Sequence, residues 1–138
     1  MLLGLKVMFL ISLLSYLIDI VQTKKHKLCN FRVNTILFFH HFIWTFALLG
    51  WVWNDPILNV LYLVTIPIYL ALWQLNDDKC ILTEYIKRNC NVGADYKLNY
   101  LGDFHHPNKI SRSTQKIYLT AAFIFTVYRT HRQFYKRV

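Results

Sequence analysis

Runs of apolar residues long enough to cross a bilayer alternate along this chain with short, charge-dense segments. A helix rises about 1.5 Å per residue, so a hydrocarbon core about 30 Å thick asks for about 20 apolar residues. The first run, Leu2 to Val21, is broken by charge only at Lys6 and Asp19 and stops at a Gln-Thr-Lys-Lys-His-Lys sequence suited to lipid headgroups. A second run covers about 35–53 and a third 56–75. The fourth, Ile117 to Tyr128, is only a dozen residues long. With Ser113, Thr114 and the stem of Lys116 it just spans. The pattern therefore predicts an all-α fold, a polytopic membrane helical bundle of three to four transmembrane helices at about 2–22, 35–53, 56–75 and 114–129. Residues 1–138 form a single integral membrane domain. No small-x-small cleavage site follows Ile18, so the first run reads as an uncleaved anchor rather than a signal peptide.

The connections carry their own signals. In Asn54-Asp55-Pro56 the Asp55 carboxylate suits the orphan donors of a following helix and Pro56 suits its first position, which predicts a tight antiparallel hairpin. Trp51, Trp53 and Tyr62 gather near that turn and Trp73 marks the far end, as expected of aromatic rings at the two interfaces. Pro67 removes a backbone hydrogen bond inside the third helix and predicts a bend covered by a neighbour. The extramembrane loop 76–113 should open with a short helix capped by Asp77 or Asp78. Ile81, Leu82, Tyr85 and Ile86 share one face of that helix, while Lys79, Glu84, Lys87 and Arg88 lie elsewhere, so it should rest at the membrane interface. From Gly93 to Ser113 the loop reads as irregular.

Composition changes the picture in one respect. A content of 55% hydrophobic and 17% aromatic residues exceeds what a domain of this size buries around one aqueous core, so lipid must take the excess. The net charge of +9 belongs to loops and tail. Lys24, Lys25, Lys27, Arg129, Arg132, Lys136 and Arg137 are suited to anionic lipid headgroups, at about 1 kcal/mol each. Nucleic acid is not an expected partner, because aromatics committed to apolar blocks cannot also serve as stacking platforms for bases. Eleven Lys and Arg fall in the two connecting segments 23–34 and 76–116 and five at the other ends, which puts loops 23–34 and 76–113 on the cytoplasmic side. The basic tail then lies on the opposite side. Three cysteines, Cys29, Cys80 and Cys90, form no dense framework. Free thiols are the expected state, with a Cys80–Cys90 bridge as the alternative.

Few polar residues interrupt the apolar runs. Ser12, Ser15 and Asp19 fall on one helical face and should point into the bundle. In an antiparallel arrangement Asp19, His40 and His41 share a leaflet within roughly two helical turns. A structural hydrogen-bonded pair is the expected role, with His41 also reaching Thr45. A proton relay between Asp19 and a histidine titrating near neutrality is the alternative. His105 and His106, with Cys80, Glu84 and Asp103, lie on the same side as His40 and His41 and could contribute to a transition-metal site. Against that, adjacent histidines on a helix diverge by about 100° and the zinc-helix spacing is missing. No second spanning helix offers an axial histidine for haem. There is no nucleophile elbow, Gly-rich phosphate loop, paired-thiol motif or recognisable triad. No catalytic residue, metal or cofactor is therefore predicted, and the chain reads as non-enzymatic.

His40 and Gly50, ten residues apart, and Cys80-Ile81-Leu82-Thr83 with Glu84 following resemble a family of small four-helix membrane proteins of unknown function, with bacterial and large-DNA-virus members. That family shows a histidine, a glycine ten residues on, and a later Cys-Pro-Leu-Thr segment before an acidic residue. Here Ile81 stands in place of the proline, and the resemblance covers about a third of the chain. It implies a four-helix membrane protein and no particular activity. The many Asn, Lys, Ile, Tyr and Phe residues fit an AT-rich genome such as those viruses have. The expectation is a multi-pass structural or assembly component of a host or virion membrane, meeting protein partners through loop 76–113. An intramembrane His/Asp site for proton relay or metal-assisted chemistry is the alternative.

Overall fold

Two of the long helices begin where a side chain accepts from the first orphan N–H donors. In the computed structural model, which describes residues 2–23, 30–77, 79–90 and 111–135, the helices are α1 (Leu2–Thr23), α2 (Phe31–Leu49), α3 (Pro56–Leu75), α4 (Ile81–Asn89) and α5 (Arg112–Tyr135). A 3-10 turn at Gly50–Val52 extends α2. No strand occurs among the described residues. α2 starts at Phe31, ahead of the expected residue 35, because the Asn30 side chain accepts from the Val33 N–H at 3.0 Å. At the start of α3, Asp55 accepts from Ile57 and Leu58 at 3.0 and 3.1 Å, with Pro56 in the first turn.

The cap of α4 differs from expectation. Cys80 rather than Asp77 takes that place, and Asp78 lies outside the described residues. After α3 the chain closes a turn in which Lys79 N–H donates to Asn76 O at 2.8 Å and Asn76 Nδ2 donates to Lys79 O at 2.9 Å. Asp77 sits in this turn at φ 50°, and the turn delays the helix to Ile81. α4 also does more than lie on a surface. Ile86 is fully buried in a cluster with Val33 and Leu37 of α2 and Cys90, against Tyr16 and Ile20 of α1.

α1 runs antiparallel beside α2, and α5 runs antiparallel beside α3. A second cluster, Ala47, Tyr62, Ile66, Trp73, Leu119 and Ala122, joins α2, α3 and α5. Tyr62 ties α3 to α2 by donating its hydroxyl to Ala47 O at 2.9 Å. The ends of α2 and α5 meet where Arg129 donates to Trp53 O at 3.0 Å and to Asn59 Oδ1, while Gln133 donates to Asn54.

Polarity is inverted relative to a water-soluble bundle. The buried residues of α1 are Gly4, Met8, Ser12, Ser15 and Asp19, whereas Leu10, Leu14, Leu17 and Val21 face outward. On α3, Asn59 is buried while Leu61, Val64 and Ile68 are exposed. α1, α2 with its 3-10 turn, and α3 are three helices long and apolar enough to cross a membrane. The fourth expected span, α5, has the length at 24 residues but carries Gln115, Lys116, Arg129, Arg132 and Gln133, and does not join them.

Cys80 is a free thiol, and Cys90 is disulfide-bonded. Cys80 and Cys90 cap opposite ends of α4, about 15 Å apart, too far for a bridge to each other. The expected alternative pair is thus absent, and the expectation of free thiols fails at Cys90.

Two glycines sit where a helix is approached closely. A Cβ on Gly4 would lie 2.8 Å from the Trp53 ring, and one on Gly50 would lie 2.9 Å from Tyr62 and 3.0 Å from Phe46. Both are contacts between elements rather than turns. Gly50→Ala should lower the thermal midpoint in detergent micelles by the equivalent of about 1–3 kcal/mol through overpacking. An unchanged midpoint would show that the rings swing aside freely.

Candidate functional site

The two adjacent histidines of α2 point to different partners, because successive residues on a helix diverge by about 100°. His41 faces α1. Its Nε2 lies 3.2 Å from Asp19 Oδ2 and its Nδ1 lies 2.8 Å from Ser15 Oγ. Ser15 and Asp19 are one turn apart on α1, so a single imidazole between them bonds both. All three side chains have no exposed surface. Ser12, on the same face, stays within its own helix and donates to Met8 O at 2.6 Å. The expected reach of the His41 ring to Thr45 is replaced by a bond from Thr45 Oγ1 to the His41 carbonyl at 2.9 Å.

Proton placement follows from enclosure. An isolated carboxylate in a dry interior costs several kcal/mol, so Asp19 and His41 are best arranged with no net charge between them. Whether the shared proton rests on Oδ2 or on Nε2, Nδ1 then carries its own hydrogen and donates it to Ser15.

His40 turns instead toward the chain leaving α3. Its Nε2 lies 3.2 Å from Cys80 Sγ. The imidazole is 3% exposed and the cysteine 8%. His40 Nδ1 is buried with no hydrogen-bond partner among the described residues. Burial by itself pushes the Cys80 thiol up, but the hydrogen bond and charge of His40, followed by the backbone N–H groups of Thr83 and Leu82, reverse this and bring it to about 6. Those N–H groups belong to the first turn of α4. They act on the sulfur through the field of the helix start rather than through a formed capping bond.

Asp19, His40 and His41 therefore do not converge on one centre. Among the described residues, no three His, Cys, Asp or Glu side chains come together. Glu84 pairs with Lys87 at 3.1 Å along α4. His105, His106 and Asp103 lie outside the described residues. Sequence reasoning missed three arrangements. Ser15 as second partner of His41 was signalled by its one-turn spacing from Asp19. The His40–Cys80 contact joins residues 40 apart, and its traces were that both belong to the resembling motifs and were expected on the same side of the bundle. The Arg129–Asn59–Trp53 group was signalled by a lone arginine ending an apolar run.

No protein-family model matches the chain, and no curated protein or solved structure is significantly similar to it.

Removing one member of a buried pair strands the other. Asp19→Asn and His41→Ala should each cost about 3–5 kcal/mol, and Ser15→Ala about 1–3 kcal/mol. In denaturant titrations of the micellar protein, the Asp19→Asn/His41→Ala double variant should lose less than the two single losses combined. Strict additivity would mean the two side chains do not share an interaction.

Proposed function

We propose that this chain is a multi-pass integral membrane protein with a non-enzymatic structural or assembly role, its α1–α2 interface locked by the Ser15–His41–Asp19 hydrogen bonds. The observation that carries the reading is the complete enclosure of those three side chains. A substrate has no route to them, and each polar atom bonded there holds one helix to the other. The outward rows of Leu and Val on α1 and α3 supply the rest, since lipid accepts them at no cost. α5 is proposed to lie across the same membrane, because it accompanies α3 and its Arg129 reaches the turn between α2 and α3. Anionic lipid and protein partners would meet the charged loop 76–113, most of which lies outside the described residues.

A second reading, proton relay, has one observation in its favour: hydrogen bonds on both nitrogens of His41 make a continuous path from Asp19 to Ser15. The path ends inside the bundle, so the structural reading is preferred. In liposomes loaded with a pH-sensitive dye, the wild-type chain should dissipate an imposed pH gradient no faster than empty liposomes. A flux that Asp19→Asn abolishes would replace the structural reading with the relay.

The charge count favours the cytoplasmic side for loops 23–34 and 76–113, whereas the disulfide at Cys90 favours an oxidising one. Alkylation of thiols in intact cells before lysis decides between them and should find Cys90 already oxidised, as its disulfide requires. Trapping of Cys90 in its reduced form would return these loops to the cytoplasm.

A further inference from the structure

We propose that Cys80, paired with His40, is a nucleophilic thiol that accepts a long-chain fatty acyl group. Two features meet at this sulfur. His40 Nε2 is within hydrogen-bond distance at 3.2 Å, and the first turn of α4 follows it directly. A cysteine held by a base at a helix start is the arrangement that favours thiolate over thiol, in keeping with the descent of its pKa to about 6.

Location selects the acyl class. Cys80 stands just beyond the C-terminal end of α3, where Leu75 and Ile81 on either side are exposed, at 84% and 49%. A thioester-linked chain attached there continues into the lipid that bathes α3, as is usual for cysteines at a membrane boundary. In the reaction the Cys80 thiolate attacks the acyl carbonyl carbon and forms the new C–S bond. The tetrahedral oxyanion lies near the N–H groups of Leu82 and Thr83 in the first turn of α4. Its collapse breaks the bond to the leaving thiolate or alkoxide, which takes the proton from the His40 imidazolium. The donor is an acyl thioester or a phospholipid ester. Both supply the same carbonyl, and neither requires an oxidant or a reductant.

The inference rests on the membrane reading for the placement of the acyl chain. The full chain is reconstituted in dioleoyl phosphatidylcholine vesicles, with or without palmitoyl-CoA, and vesicles are floated to confirm insertion before mass analysis. Failure to float would count against the membrane reading, whereas floated but unacylated protein would count against this one. The expected result is a hydroxylamine-labile acyl group on the Cys80 peptide. A palmitoyl group identifies the thioester as donor, and an oleoyl group identifies the lipid. Cys80→Ser should abolish the adduct, and His40→Gln should slow its appearance about tenfold or more.

Alkylation of the wild-type thiol by iodoacetamide supplies a readout that needs no variant. Its rate should rise with pH through a midpoint near 6 and then level off, whereas an ordinary cysteine titrates at about 8.5. Absence of acyl from Cys80 in both arms, an equal adduct in Cys80→Ser, or an alkylation midpoint at the ordinary thiol value would each overturn the proposal.

Discussion

A carboxylate and an imidazole buried together between two otherwise greasy helices set the terms for this molecule. Asp19 and His41 are wholly enclosed, and neither could stay there without the other, because an unpaired ionisable group in a low-dielectric interior costs more than a small protein has to spare. Their contact fixes the rotation and register of α1 against α2. With that register set, the Leu and Val rows of α1 can face only outward. The inverted polarity of the helix is thus one arrangement with two sides: polar atoms satisfied within, apolar atoms left for a solvent other than water.

The rest of the bundle builds on that hairpin. Tyr62 and the aromatic cluster around Trp73 carry α3 onto α2, and α5 closes over α3. At one end of the bundle the N-terminal part of α1 meets Trp53, beside the turn that Arg129 and Gln133 hold. At the other end α4 folds back so that Ile86 joins Val33 and Leu37, and this return brings Cys80 against His40. The two histidines, adjacent in sequence, thereby serve different ends. One is sealed between helices, and the other meets a thiol just beyond the end of α3.

Much of the architecture was legible in the sequence because long apolar helices are written in simple terms. Run length gives the spans, and Asp55-Pro56 gives the hairpin turn with its capping bonds. The inward face of Ser15 and Asp19 follows from helical spacing alone. Cues failed where a local choice was settled by geometry further along the chain. The cap of α4 moved from an aspartate to Cys80 because the turn after α3 consumes residues 76–79 through Asn76 and Lys79. The pairing of His40 with Cys80 depends on how far α4 folds back over α2, which no local pattern encodes. The polar census of α5 was visible from the start, yet its packing along α3 came from the fit of Leu119 and Ala122 against Tyr62 and Ile66.

The central claim is that hydrocarbon, not water, covers the outward faces of α1 and α3. Spin labels placed singly at Leu14 and Leu61, both outward-facing, report their surroundings in liposomes by collision with dissolved oxygen or with a water-soluble nickel chelate. The account predicts strong oxygen collisions and weak nickel collisions at both positions. Strong nickel collisions at Leu14 and Leu61 in a folded chain would contradict it.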